Sequence, residues 1–192
     1  MSALEVQLKQ ARNKIDDADQ YERKDSVIIS GNAVPPMAEE EDTHTLVQKL
    51  LKDHFNTDIT LRDINTTHRL GPLKASTPTR RNIYVKFVRR DVKKHVIKKS
   101  KELGRTTGLY ANESLTPLRR TIFNALRKMK ADVPDIVKGC YTMEGKIFAF
   151  TPPVGNNSKE QRHCITDMGA LQAFCRDYVK EPLDTFLQNF ST

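Results

Sequence analysis

Arg81-Asn-Ile-Tyr-Val-Lys-Phe-Val-Arg-Arg-Asp-Val-Lys-Lys-His-Val-Ile-Lys-Lys-Ser-Lys-Glu-Leu-Gly104 changes its apolar period midway. Ile83, Val85 and Phe87 alternate with Tyr84, Lys86 and Val88, a period of two that makes a strand with one buried face. After Asp91, Val92, Val96 and Leu103 fall on one side of a helix with Ile97 flanking, and Gly104 is expected to end it. A strand feeding directly into a helix is half of a split βαβ unit, and the flanking sequence supplies the other half. Upstream, Ser26–Ser30 is a short apolar strand closed by Gly31-Asn32 and Pro35-Pro36. Asp42 then caps a helix carrying Leu46, Val47, Leu50, Leu51 and Phe55. A second strand is expected from Ile59 through Ile64 to Leu70, ended by Gly71-Pro72, and Lys74 to Thr79 reads as a flexible polar loop. Downstream, Gly108 to Ala111 is the fourth strand. The predicted order is β-α-β-β-α-β.

On the N-terminal side, Leu4, Leu8, Ala11, Ile15 and Ala18 recur at alternating four- and three-residue steps, the seam of a coiled coil. Two to three heptads are marginal for an isolated coil, so a lone amphipathic helix packed on its own domain is the other reading. On the C-terminal side, Thr116 and Pro117 start a helix whose buried stripe is Leu118, Ile122, Leu126 and Met129, and Val133-Pro134 stops it. Ile136 to Met143 and Lys146 to Phe150 flank Glu144-Gly145 as a hairpin. A polar loop then leads to helices around Leu171–Tyr178 and Leu183–Phe190. The expected class is α+β, with a coiled-coil helix over residues 1–22, the βαββαβ unit over 23–112 and a small α+β domain over 113–192.

The quoted stretch also concentrates the charge. From Arg80 to Arg105 there are eleven cations against Asp91 and Glu102, a net of +9, while the whole chain carries +8. Focused charge of this kind points to a polyanionic partner. Charged residues interleave the N-terminal apolar ones, so no signal peptide is read, and no apolar run approaches the roughly 20 residues of a membrane span. An intracellular, soluble protein without a membrane partner is expected. Cys140, Cys164 and Cys175 are odd in number and scattered, which fits a reducing compartment, and no zinc-ligand spacing occurs. The acidic run Glu39–Asp42 lacks partners and reads as a solvated loop. No nucleophile elbow, Walker loop, zincin or deaminase signature is present, so neither catalytic residues, metal nor cofactor are expected.

An RNA-recognition-motif sheet covers one face with helices and offers the other to nucleic acid through stacked aromatics. Here Tyr84 and Lys86 share the outward face of the third strand, and the first strand has no aromatic. Tyr84 reads either as one stacking residue or as edge packing, and contacts to phosphate are expected to outweigh contacts to bases. Arg80 and Arg81 stand at the strand entry, Arg69 ends the second strand, and Arg119 and Arg120 open the following helix. These five arginines are expected to line one cleft. Lys93, Lys94, Lys98 and Lys101 are expected to project from the helix into solvent.

Four segments carry a wider resemblance: Gln20-Tyr-Glu-Arg-Lys-Asp-Ser-Val-Ile-Ile-Ser-Gly31, Asp63-Ile-Asn-Thr-Thr-His-Arg-Leu-Gly71, Arg81-Asn-Ile-Tyr-Val-Lys-Phe87 and Asn112-Glu-Ser-Leu-Thr-Pro-Leu-Arg-Arg120. With Gly145-Lys-Ile-Phe148 and Met168 to Phe190, the chain resembles the first-open-reading-frame RNA-binding proteins of LINE-type (non-LTR) retrotransposons. The resemblance implies an RRM-like domain, a homotrimer on the coiled coil, and a nucleic-acid chaperone that coats its own RNA in cytoplasmic ribonucleoprotein particles, with a nuclear phase also open. Single-stranded RNA and DNA are the implied partners. The implied binding residues are Arg23, Arg69, Arg80, Arg81, Lys86, Arg119 and Arg120, with Lys138, Tyr141 and Lys146 on the C-terminal hairpin. The coil is much shorter than the family's usual one. Baculovirus few-polyhedra proteins share much of the pattern, which leaves a viral structural role without chaperone activity open beside it.

Overall fold

The computed structural model describes residues 2–38, 40–71, 80–153 and 159–187. The chain divides into two units, one of Glu22–Ser114 and one joining Met1–Tyr21 to Leu115–Thr192. Helix α1 (Ala3–Glu22), expected as a segment of its own, thus belongs with the C-terminal unit.

In the first unit the elements are β1 (Ser26–Ser30), α2 (Thr43–Phe55), β2 (Ile64–Arg69), β3 (Ile83–Phe87), α3 (Arg90–Thr107) and β4 (Tyr110–Glu113). The four strands form one antiparallel sheet in the order β2-β3-β1-β4. Alternation sends Val27, Ile29, Ile83, Val85 and Phe87 to one face, where Val47, Leu51, Phe55 and Val96 of the helices complete a closed core. The Asp42 carboxylate accepts from the His44 N–H at 3.0 Å to start α2, and Asn56 ends it in the left-handed conformation. At Gly31, φ is +115° and a Cβ would meet the Gly108 carbonyl oxygen at 2.1 Å, so only glycine fits.

Three expectations shift here. Thr60 and Asp63 form a reciprocal capping box that winds Leu61–Asp63 into a 3-10 turn, so β2 begins only at Ile64. The Thr60 N–H and hydroxyl also hold the Asp63 carboxyl below its usual range. Helix α3 runs through Gly104 to Thr107 and is capped by Gly108, which moves β4 two residues downstream. Gly104 serves packing instead: a Cβ there would stand 2.9 Å from the Tyr110 ring. Finally, Lys93 does not project into solvent. Its stem is buried, and its ammonium donates to the Lys24 carbonyl at 2.7 Å and to Glu113 at 2.8 Å. The expected loop at Lys74 to Thr79 lies outside the described residues.

The second unit is built on α4 (Pro117–Asp132), β5 (Gly139–Met143), β6 (Lys146–Thr151), β7 (Gln161–Cys164), α5 (Met168–Phe174), a π turn at Cys175–Val179 and α6 (Asp184–Leu187). As expected, Thr116 caps α4, accepting from the Arg119 N–H at 3.3 Å. Glu144 (φ +52°) and Gly145 (φ +77°) make the two-residue hairpin turn whose twist matches the strands. Ile147 and Ala149 face Ile122, Leu126 and Met129 of α4 and Leu171 and Phe174 of α5.

Strand β7 lies where a polar loop was expected, and it pairs with β6 as an edge strand. Gln161-Arg-His-Cys has no apolar alternation to announce it; its inward residue is His163, packed on Phe174 and Tyr178 and hydrogen-bonded to the Thr151 hydroxyl at 2.8 Å. Burial lowers the His163 pKa, which favours the neutral ring. Of the expected Leu183–Phe190 helix, Asp184–Leu187 is described and the rest lies outside the described residues. All three cysteines are free, and burial pushes the Cys175 thiol up to about 11. Among the described residues no cluster of ligands suits a metal ion, and no helix is long and apolar enough to cross a membrane.

Candidate nucleic-acid interface

Both helices of the first unit pack on the Val85 side of its sheet, leaving the other face to Ser26, Ile28 and Ser30 of β1, Thr66 and His68 of β2, Tyr84 and Lys86 of β3, and Tyr110 and Asn112 of β4. None of these side chains is an acid. Tyr84 lies centrally: its ring stacks on His68 at 4.8 Å and 29°, and its hydroxyl is hydrogen-bonded to that of Ser26 at 2.8 Å. Lys86 stands between Ser26 and Thr66 in the register, on the same face as Tyr84. Two ring faces and an ammonium on a pleated surface are suited to a base and its flanking phosphate.

The arginines expected beside this face divide into two kinds. Arg80 is exposed at the entry to β3, with no ion pair among the described residues. Arg23 is half-buried, and its guanidinium reaches the Ser114 hydroxyl at 3.4 Å. Arg81 is partly spent, donating to the Gly71 carbonyl at 2.6 Å and to the Met37 sulfur. Arg69 is engaged on all three of its nitrogens. It is buried, bidentate to Glu41 at 2.8 and 2.7 Å, and donates its remaining arm to the Arg81 carbonyl at 2.8 Å. The Arg69 guanidinium in turn holds the Glu41 carboxyl below its usual value.

The second unit repeats the division. Arg119 is buried and clasps α1: Nε donates to Asp16 at 2.8 Å, one arm pairs with Asp17, and the other donates to the Gly145 carbonyl at 2.9 Å. The Gln20 side chain accepts from the Thr116 N–H at 3.0 Å beside it. Arg120, one residue on, is exposed with no ion pair among the described residues. On the hairpin, Lys138 is exposed and 3.7 Å from Asp135, Lys146 is exposed, and Tyr141 stacks on Phe148 and Phe150.

Arg69 and Arg119 therefore engage their guanidinium groups within their own units, which sets them apart from the exposed Arg80 and Arg120. Each fork holds two carboxylate oxygens and a carbonyl, and with only 3% and 6% of the Arg69 and Arg119 side chains exposed, little of either is accessible from solvent. The charge block also splits by side. Lys98, Lys101 and Arg105 lie on the outer surface of α3, and α3 covers the opposite face of the sheet from Tyr84 and Lys86. Lys98 and Lys99 lie near Glu102 as well. The sheet and its helices thus separate these cations from the face that carries Tyr84 and Lys86.

His68, Tyr110 and Asn112 belong to the face but escaped the sequence reading. His68 lies opposite Tyr84 across the β2–β3 ladder, a neighbour that only the register reveals. Compared with known proteins, the chain matches no family model, and no curated protein matches it in sequence.

Proposed function

We propose that the chain is a sequence-tolerant single-stranded RNA- and DNA-binding protein that coats retrotransposon RNA and acts as a nucleic-acid chaperone, without catalytic chemistry of its own. The observation that carries this reading is the open, acid-free sheet face holding Tyr84 and Lys86, with Arg80 at its edge, in a chain of net charge +8. The βαββαβ order and the β2-β3-β1-β4 sheet support an RRM-like unit. Free cations beside one accessible ring favour backbone contacts, which hold strands loosely enough to exchange while screening their repulsion.

The same reading includes a homotrimer through α1. Leu4, Leu8 and Ile15 are 75%, 50% and 63% exposed, an apolar heptad seam that the single chain leaves in water. Leu8→Asp/Ile15→Asp is expected to convert the assembly to a monomer by light scattering without lowering the helix's anchorage at Asp16 and Gln20. A wild-type protein that is already monomeric contradicts this part.

The exposed cations of the two units, each taken as a phosphate contact by itself, are tested by the triple variant Arg80→Ala/Lys86→Ala/Arg120→Ala. Each lost phosphate contact removes about 0.7 from the slope of log affinity against log salt, so the slope is expected to become shallower by about 2. An unchanged slope in a folded variant contradicts the assignment. Oligomers of different sequence but equal length are expected to respond alike, and annealing of complementary strands is expected to slow in step.

A further inference from the structure

We propose that the free edge of β5 docks a partner protein, which adds an extended segment to the β5-β6-β7 sheet and places one acidic side chain in the cavity between β5 and α4. In that sheet β5 has a neighbour on one side only. Edge strands are ordinarily blunted by a proline or a charge, and Gly139-Cys-Tyr-Thr-Met143 carries neither. Met143 and Lys146 flank a two-residue turn and so form a hydrogen-bonded pair, as do Tyr141 with Phe148 and Gly139 with Phe150 further along the ladder. Cys140 and Thr142, between them, therefore aim their N–H and C=O groups away from β6. Among the described residues nothing meets those groups, and both residues keep accessible surface.

Beside this edge lies a cavity of about 350 Å³, lined by Phe123, Arg127, Lys130 and Ala131 of α4 and by Cys140 of β5. The four helix residues recur at three- and four-residue steps, so they share one side of α4. Cys140 points to that side because its partner in the register, Ala149, belongs to the core under the helices. Burial pushes the Cys140 thiol up, while the Lys130 and Arg127 charges pull it the other way, which places both cations near the sulfur. Arg127 and Lys130 are exposed and have no ion pair among the described residues, and none of the five lining residues is acidic. A strand laid along β5 sends every second side chain to the helix side, where one of them meets this cavity.

Charge and backbone together select the occupant. Two cations above Phe123 and Cys140 suit a carboxylate on a short aliphatic stem. The edge itself presents N–H donors and C=O acceptors in turn, and a peptide strand answers both. The phosphates of a nucleic acid only accept, so they leave the Cys140 and Thr142 carbonyls without donors. A second copy of the chain, pairing β5 with β5, brings another Arg127 and Lys130 to the same edge, like charge toward like. An acidic extended segment of a different protein meets neither objection. Docking of this kind is separate from the nucleic-acid binding proposed above.

The test uses the full chain and a fluorescent peptide that alternates threonine and valine around one glutamate. The wild-type protein is expected to bind it in the micromolar range, with amide exchange slowed at Cys140 and Thr142 and unchanged at Tyr141, whose N–H already serves β6. Replacing the glutamate by lysine is expected to weaken binding about tenfold, and N-methylation of the peptide backbone, which removes its donors, to abolish it. Arg127→Ala/Lys130→Ala, at exposed positions, is expected to show the same tenfold loss at an unchanged melting temperature, and Arg127→Lys to keep the affinity. Failure of the wild-type protein to bind the glutamate peptide overturns the site, as does equal affinity for the glutamate and lysine peptides. Displacement of the peptide by oligothymidylate assigns the cavity to nucleic acid and overturns the choice of a protein partner. Protection of Cys140 and Thr142 that grows with protein concentration in the absence of peptide assigns the edge to a second copy and overturns it as well.

Discussion

Arg119→Ala is expected to lower stability by about 3–5 kcal/mol, the usual cost of deleting one member of a buried ion pair. The side chains of Arg119 and Asp16 are 6% and 11% exposed, so the carboxylate left behind remains out of water without its partner. The hydrogen bond from Arg119 to the Gly145 carbonyl is lost at the same time, at the left-handed turn that closes the β5–β6 hairpin. The same guanidinium fastens α1 to the start of α4, so the loss is expected to free the helix as well as weaken the unit. Chemical denaturation with circular dichroism reads the first effect, and increased amide exchange through Asp16–Gln20 reads the second. Arg120→Ala, one residue away and exposed, is the contrast: it is expected to change stability by less than about 0.5 kcal/mol. Equal, small effects at both positions contradict the structural role of Arg119.

Arg69→Ala is expected to be comparably damaging, about 3–5 kcal/mol, because Arg69 and Glu41 are 3% and 9% exposed and the Arg81 carbonyl shares the same fork. This loss carries a pH signature. The Glu41 carboxyl is held below its ordinary value of 4.5, first by its hydrogen bonds from Arg69. A depressed folded-state pKa contributes stability above the unfolded value, and that contribution disappears as pH falls through the folded one. The stability gap between wild type and Arg69→Ala is therefore expected to hold near neutrality and to narrow below pH 4.5. Denaturant titrations at several pH values measure it. A gap that widens on acidification contradicts the pairing. Loss of nucleic-acid binding in either arginine variant is expected only where the protein has begun to unfold.

The first unit was legible because its signals are local. Ile83, Val85 and Phe87 alternate, Asp42 caps, and Gly31 punctuates, so each element announces itself and the order follows. Its inaccuracies were failures at ends: Gly104 read as a stop when it is a packing glycine under Tyr110, and the Thr60–Asp63 box hid inside an apparently continuous strand. Edge strand β7 was illegible because its inward residue is a histidine held by aromatic rings rather than an aliphatic. Site residues divide on the same principle. That Arg80 and Lys86 are cations on or beside a strand is written in the sequence. That Arg69 and Arg119 are buried in ion pairs is written only in the fold, because their partners Glu41, Asp16 and Asp17 lie at positions that no sequence spacing connects to them. Lys93 is the same case, with Glu113 brought under α3 by the strand that follows it.

Binding dominated by phosphate contacts is the central claim, and the dependence of wild-type affinity on salt tests it most directly. Titration of a labelled single strand into the protein across a range of salt concentrations should give a straight line of log affinity against log salt. Its slope is expected to be steeply negative, by about 0.7 for each phosphate neutralised, and the same for strands of unrelated sequence. A slope near zero, or one that changes with sequence, contradicts the account.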